Sequence, residues 1–387
     1  MRLDSVREEH APSSRFPQAF GRFWLQEKIG HGGMAEVFRA TLGPDPETYA
    51  FEMALKRMHR HLEHDPAQVD MFMTEADVAK FLKHGNIVRV YDAGLIEHHA
   101  YIAMEYIWGL DLSRLLLRLR ERKIRMPPEL AVFIALSVLR ALDYVHRAHA
   151  PGGEPMHMVH RDVTPSNIYL TYDGQVKLAD FGVARVSFLE RHEDTRTLKG
   201  KIAYMPPEVL AGEPVDERVD LWSVAVCLYE TLTMRRLYGA LDESELLAGA
   251  VNPRIAPIHT IDETIDVELS RILKKALHRS PRRRPRQAVD FYRLLKRYHA
   301  CTAPEVDQAA LGRFMRESVG IGGPVGHTSS RSSQVGAGLP DTEYHAPIEM
   351  SPTDRFELQQ RSRRWWFPML ALAMGLAAAG LAWWLRG

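Results

Sequence analysis

From Phe23 the chain changes sides residue by residue: Phe23, Leu25 and Ile29 alternate with Trp24, Gln26 and Lys28, and Glu36-Val-Phe-Arg-Ala40 resumes extended structure after a glycine-rich break. A period of two sends successive side chains to opposite faces of a strand, so this stretch predicts a hairpin. Gly43, Pro44, Asp45 and Pro46 mark a turn, and Ala50–Met58 reads as the next strand. The period then changes. Val69, Phe72, Met73, Ala76, Ala79 and Phe81 follow a helical spacing and predict an amphipathic helix over Val69–His84. Two short strands follow, near Val88–Tyr91 and Tyr101–Glu105. Beyond them the pattern predicts helices near 111–121, 129–149, 218–232, 242–250, 268–278 and 287–298, with a surface loop over Ala150–Pro155. Strands first and helices afterwards make an α+β chain. Residues 1–21, with Pro12, Ser13, Ser14 and Pro17, read as a flexible leader. Residues 299–364, rich in Gly, Ser and Pro around 320–340, read as a flexible linker. There is no internal repeat.

Four strings fall on this pattern in one order: Gly30-His-Gly-Gly-Met-Ala-Glu-Val37, Ala54-Leu-Lys56, His160-Arg-Asp-Val-Thr-Pro-Ser-Asn167 and Asp180-Phe-Gly182. Each alone is a weak signal, since glycine-rich loops are common. Together they supply a phosphate cover, a lysine for phosphate, a carboxylate with a nearby amide, and a second carboxylate. In this order the set resembles that of Hanks-type Ser/Thr protein kinases of bacteria, over roughly residues 22–298.

The resemblance implies a two-lobed fold, with an N-lobe over 22–107 and a C-lobe over 108–298, and transfer of phosphate from ATP with Mg²⁺ or Mn²⁺ to protein substrates. Ile29, Gly30, His31, Gly32 and Gly33 would cover the phosphates, with Ala35 where a third glycine is usual. Val37 and Ala54 would pack on adenine and Lys56 would hold the α- and β-phosphates. Glu75 would fix that lysine; Asp77 lies about 200° further round the helix, on its surface. Met104 matches the position guarding the inner pocket, Glu105–Ile107 the hinge that binds adenine, and Asp111 a position that meets ribose or substrate. Asp162 would take the substrate proton, and Asn167 and Asp180 would bind the metal. Glu208 is expected to pair with Arg284, and Asp220 to brace the catalytic-loop backbone. Ser187, Thr195 and Thr197 are the phosphorylation candidates in the segment 180–208, Thr195 and Thr197 favoured by position, with Arg161 as the partner of the phosphate.

One departure stands out. The family usually has Lys two residues after the catalytic Asp and Thr after the Gly that opens the docking loop; here those positions are Thr164 and Lys201. The two residues have exchanged places. The expectation is that Lys201 reaches back to Asp162 and supplies the missing ammonium while Thr164 keeps the hydroxyl contact. Thr164 also leaves a second reading open, a pseudokinase scaffold.

Composition adds limits. The chain has 387 residues, a formal charge of +1 and 45% apolar residues, enough for a substantial core and no reason to expect nucleic acid. Cys227 and Cys301 form no C-x-x-C pair, so neither a disulfide framework nor a zinc site is indicated. His59, His61 and His64, and His98 beside His99, have no acidic or Cys partner at a recognised spacing, so they are expected to be solvated loop residues and not a metal site. The polar start, Met1–His10, has no signal-peptide core. Trp365–Leu385 carries no charge, and about 20 helical residues span a bilayer core of about 30 Å. Trp365, Trp366, Trp383 and Trp384 sit where interfacial aromatics belong, and Arg361, Arg363 and Arg364 place the preceding domain in the cytoplasm. A tail anchor in the inner membrane is expected, a buried helix being the alternative. Ala371, Gly375 and Ala379 form a small-residue stripe through which a homodimer could pair, although a generic Ala-rich span accounts for it equally.

Overall fold

The computed structural model describes residues 16–47, 51–149, 154–181, 200–238 and 243–320. An antiparallel sheet of six strands comes first: β1 Gln18–Phe20, β2 Phe23–His31, β3 Ala35–Leu42, β4 Phe51–Met58, β5 Val90–Ile96 and β6 His99–Met104, in the order β1-β2-β3-β4-β6-β5. The alternation divides its side chains between two cores. Leu25, Phe38, Leu55 and Tyr101 cluster on one face. Met58, Ala100 and Ile102 pack on the other face against Phe72 and Ala76 of α1, Pro66–Phe81. Asp65 starts α1 by accepting the Ala67 N–H, with Pro66 in the first turn, where its missing N–H costs nothing. The β5–β6 hairpin turns through Glu97 and His98 at φ 48° and 71°, the left-handed pair a two-residue turn needs.

The helical part is built on α3, Pro128–His146, and α5, Arg218–Thr233, both apolar nearly all round and buried accordingly. Around them lie α2 Leu112–Glu121, α4 Pro207–Leu210, α6 Glu243–Val251, α7 Val267–Ala276 and α8 Ala288–Thr302. Between them a small sheet joins β7 Gly109–Asp111, β8 Ile168–Thr171 and β9 Val176–Leu178. These three strands are too short for a periodicity to show in the sequence.

Two boundaries differ from expectation. Within the expected leader 1–21, Gln18–Phe20 is a strand, because Phe20 is buried against Tyr101 at the sheet edge. Within the expected linker 299–364, α8 runs on to Thr302 and α9 spans Gln308–Val319. Leu311 and Met315, four residues apart, are fully buried and hold α9 on the domain. Among the described residues no helix is long and apolar enough to cross a membrane, and 365–385 lie outside them.

Candidate active site

Lys56 lies on β4, and its ammonium meets Glu75 Oε1 of α1 at 3.1 Å and Asp180 Oδ1 at 2.8 Å. The helix that buries Phe72 and Ala76 thereby turns Glu75 to the sheet. Burial alone would lower the lysine's pKa, but the Asp180 and Glu75 carboxylates beside it outweigh that and hold it above its ordinary value. Behind Lys56 a small cavity of about 20 Å³ is lined by Ile102, Met104, Ala76 and Phe181.

The glycine turn sits at the tip of the β2–β3 hairpin. Gly30 faces Val37, and Ile29 and His31 flank it on β2. A Cβ at Gly33 would meet nothing within 4 Å, and at Gly32 only the Ala35 carbonyl at 3.6 Å. Packing therefore does not require glycine there; the bare backbone leaves room for a ligand. Ala54 pairs with Met104 across β4 and β6. In the segment after β6, Glu105 is held from both sides, by Lys177 Nζ at 2.8 Å and by its own N–H to the Arg89 carbonyl at 2.8 Å, with Ile107 two residues on. Asp111 is the N-cap of α2: it accepts the Arg114 N–H at 2.9 Å and also holds Ser113.

The loop of Asp162 is braced from below. Asp220 of α5 is wholly buried; its Oδ2 accepts the His160 N–H and its Oδ1 the Arg161 N–H, both at 2.8 Å. Those bonds fix Arg161 at φ 62°, a conformation rare for a residue with a side chain. His146 donates to Asp220 at 2.8 Å, and burial, which would raise the carboxyl's pKa, is overcome by that contact and by His160. The His160 ring donates from Nε2 to the Ala179 carbonyl at 3.1 Å and accepts the Asp162 N–H on Nδ1 at 3.2 Å. Burial depresses its pKa and the ring is neutral. It also lies against Phe181, at 4.6 Å between ring centres.

At the centre, Asn167 gives its amide N–H groups to Asp162, at 2.8 Å to the carbonyl and 3.1 Å to Oδ2. That leaves the Asn167 carbonyl oxygen as its ligand atom. With the Asp180 carboxylate this is a hard oxygen donor set, which fits Mg²⁺ or Mn²⁺ and does not suit a soft metal. Lys201 Nζ lies 3.6 Å from Asp162 Oδ2. Thr164 is buried nearby and opens a 3-10 turn with an extended backbone, φ −136° and ψ 160°. Further off, Glu208 and Arg284 form a buried two-pronged pair at 2.6 and 2.7 Å. Arg161 is exposed, whereas Gly182, Ser187, Thr195 and Thr197 lie outside the described residues.

Sequence reasoning gave His160 no role although it opens a quoted motif. It missed His146 and Lys177 outright; neither carries a local signal, because their partners are 74 and 72 residues away.

This arrangement of lysine, two carboxylates and glycine hairpin is that of a kinase, and the chain belongs to the protein kinase domain family, whose model matches residues 23–291. It is 34% identical over 304 residues to tyrosine-protein kinase MasK of Myxococcus xanthus, covering 78% of this chain and 47% of that protein. It is 36% identical over 269 residues to the probable serine/threonine-protein kinase SCO3848 of Streptomyces coelicolor, covering 67% and 37%. With serine/threonine-protein kinase PknB of Mycobacterium leprae it shares 32% over 296 residues, covering 75% and 45%. The chain thus spans less than half the length of these relatives. The PknI kinase domain of Mycobacterium tuberculosis superposes with a TM-score of 0.57 at 23% identity, over 75% of this chain and all of that one, a likeness of fold.

Proposed function

We propose that this chain transfers the γ-phosphoryl group of ATP to serine and threonine hydroxyls of protein substrates. The observation that carries the reading is Lys56 held between Glu75 and Asp180, at 3.1 and 2.8 Å, which joins the phosphate-binding and metal-binding parts in one site. Asp162 accepts the proton of the substrate hydroxyl; the oxygen attacks the γ-phosphorus, and the bond to the bridging oxygen of ADP breaks. Mg²⁺, held by Asn167 and Asp180, neutralises phosphate charge when bound. Lys56 orients the α- and β-phosphates, Val37 and Ala54 flank adenine, and the segment Glu105–Ile107 offers it backbone groups. Lys201, beside Asp162, supplies the ammonium that Thr164 does not. The choice of Ser/Thr over Tyr rests on the relatives named serine/threonine kinases; MasK, named a tyrosine kinase, keeps tyrosine as a competing acceptor.

In the same proposal the domain is cytoplasmic, tethered to the inner membrane through 365–385, able to pair with a second copy, and activated by autophosphorylation at Thr195 or Thr197 with Arg161 receiving the phosphate. The uncharged run Trp365–Leu385 and the arginines before it support the tether.

The test is transfer from radiolabelled ATP and Mg²⁺ to acceptor proteins, with phosphoamino-acid analysis and Asp180→Asn as control. Label on Ser and Thr from the wild type alone is the expected result. ATP binding without transfer sinks the enzyme reading in favour of the scaffold that Thr164 suggests, and label confined to Tyr overturns the acceptor assignment.

A further inference from the structure

Two of the histidines that the sequence left without partners, His59 and His99, acquire them in three dimensions. His99 pairs with Glu63, Nδ1 to Oε1 at 2.7 Å. His59 is different. It follows directly on β4, where the hairpin of β2 and β3 brings His31 and Glu36 opposite one another in register. One ligating atom of each of His31, Glu36 and His59 lies within 4.8 Å of the others, the one such grouping among the described residues.

We propose that His31, Glu36 and His59 bind a divalent cation of the zinc class, stapling the glycine hairpin to the segment after β4. Nothing in phosphoryl transfer uses these three groups together, and the inference does not depend on the chain being an active kinase.

Several features favour a built site over three neighbouring surface groups. His59 Nε2 donates to the Gly32 carbonyl at 2.7 Å. That hydrogen bond sets the tautomer and leaves the lone pair on Nδ1, the second-shell arrangement that metal-binding histidines use. The His59 backbone N–H also bonds the Met34 carbonyl at 3.0 Å, so the residue is anchored to the hairpin tip through both its backbone and its ring. The His61 ring stacks on His59, 5.4 Å between centres and 19° between planes. His31 is exposed and its ring lies 4.8 Å from that of His59, close enough for a small rotation to bring both nitrogens to one ion.

The third ligand decides which cation. Glu36 already accepts from Lys28 at 2.7 Å and Arg57 at 3.2 Å, and these contacts, against the opposing effect of burial, keep its carboxyl below the ordinary carboxylate pKa. A carboxylate has lone pairs beyond those two bonds, so it can still ligate. Its charge, however, is largely cancelled by two cations. A hard ion such as Mg²⁺ or Ca²⁺, which depends on carboxylate charge, is disfavoured, whereas Zn²⁺, Ni²⁺ or Co²⁺ gains its affinity from the imidazoles. Two His and one carboxylate leave a fourth position for water. Since His31 stands between Gly30 and Gly32, an ion there holds the phosphate cover in one position.

The experiment is Co²⁺ titration of the metal-free full-length chain, followed by visible d–d absorption and by the melting temperature. The chain has 18 histidines, so specificity rests on variants. The expected result is absorption that saturates at one equivalent, is displaced by Zn²⁺ but not by excess Mg²⁺, and comes with a raised melting temperature. His31→Ala and His59→Ala each abolish it, Glu36→Gln weakens it, and His64→Ala leaves it unchanged. Because His31 is exposed, His31→Ala keeps the fold, which the metal-free melting curve verifies. Absorption that survives His31→Ala or His59→Ala, or none at one equivalent, overturns the site.

Discussion

An ammonium beside Asp162 would act through charge in the proposed reaction. Lys201, 3.6 Å from Asp162, would meet the negative charge that gathers on the transferring phosphoryl group. Phosphoryl transfer leaves the protein mainly positioning and charge neutralisation to supply. Lys201→Ala is therefore expected to lower kcat about 10²- to 10³-fold with a small change in the KM for ATP, measured by steady-state phosphorylation. Unchanged turnover would refute a catalytic role for Lys201. The paired change Thr164→Lys and Lys201→Thr should regain most of the rate if the ammonium is what matters. At this scale the sequence was informative wherever a role lies within one local string. Lys56, Asp162, Asn167 and Asp180 are of that kind, and for Glu75 the family resemblance points to the position while helix angle sets Asp77 aside. It was silent where a residue's work is defined by a distant partner. His146 is invisible until α3 and α5 bring it to Asp220.

Elements in this fold are joined by a few contacts that cannot be loosened singly. Arg284 is almost wholly buried, and besides Glu208 it serves the carbonyls of His278 and Arg279 and lies 4.7 Å above the Trp222 ring. Arg284→Ala would strand the Glu208 charge in the interior, a cost of about 3–5 kcal/mol, seen as a large fall in the urea midpoint. A double change to a well-packed apolar pair should be far milder. The junction of α9 with the β8–β9 turn is equally tight. Gly174 has φ 88°, and a Cβ on it would come 1.8 Å from the Gln308 carbonyl; one on Gly312 would come 2.8 Å from the Asp173 carbonyl carbon. Gly312→Val should therefore displace α9, costing about 1–3 kcal/mol and opening the chain near Val306 to limited proteolysis. The long amphipathic elements were legible because their periods persist for several turns. α9 was not, since its 12 residues sit in a stretch whose Gly, Ser and Pro content reads as linker. Nor was β1, three residues long and recognisable by the burial of Phe20 alone.

For the whole molecule, the buried ionisable groups set the response to pH. His160 is neutral in the fold with its pKa lowered, so the unfolded chain binds the extra proton first. Stability is then complete above about pH 6.5, the ordinary histidine value, and declines as the pH falls through the folded value below it. Asp220 is also lowered, and its contribution, present above about pH 3.9, is lost as the pH falls further. Thermal melts between pH 8 and 3 should show a loss starting just below pH 6.5, and His160→Asn should shrink that first step, which the lowered His84 and His299 share; a flat profile down to pH 4 would contradict the neutral ring. Taken at this scale, the sequence by itself determined the family and the order of the longer strands and helices, because those depend on residue type and local spacing. Only the tertiary structure decided that Asp111 is committed to capping α2, that α9 belongs to the domain, and that His31, Glu36 and His59 converge. Each of these depends on which side chains the packing of separate elements brings within a few ångströms, and no local pattern encodes that distance.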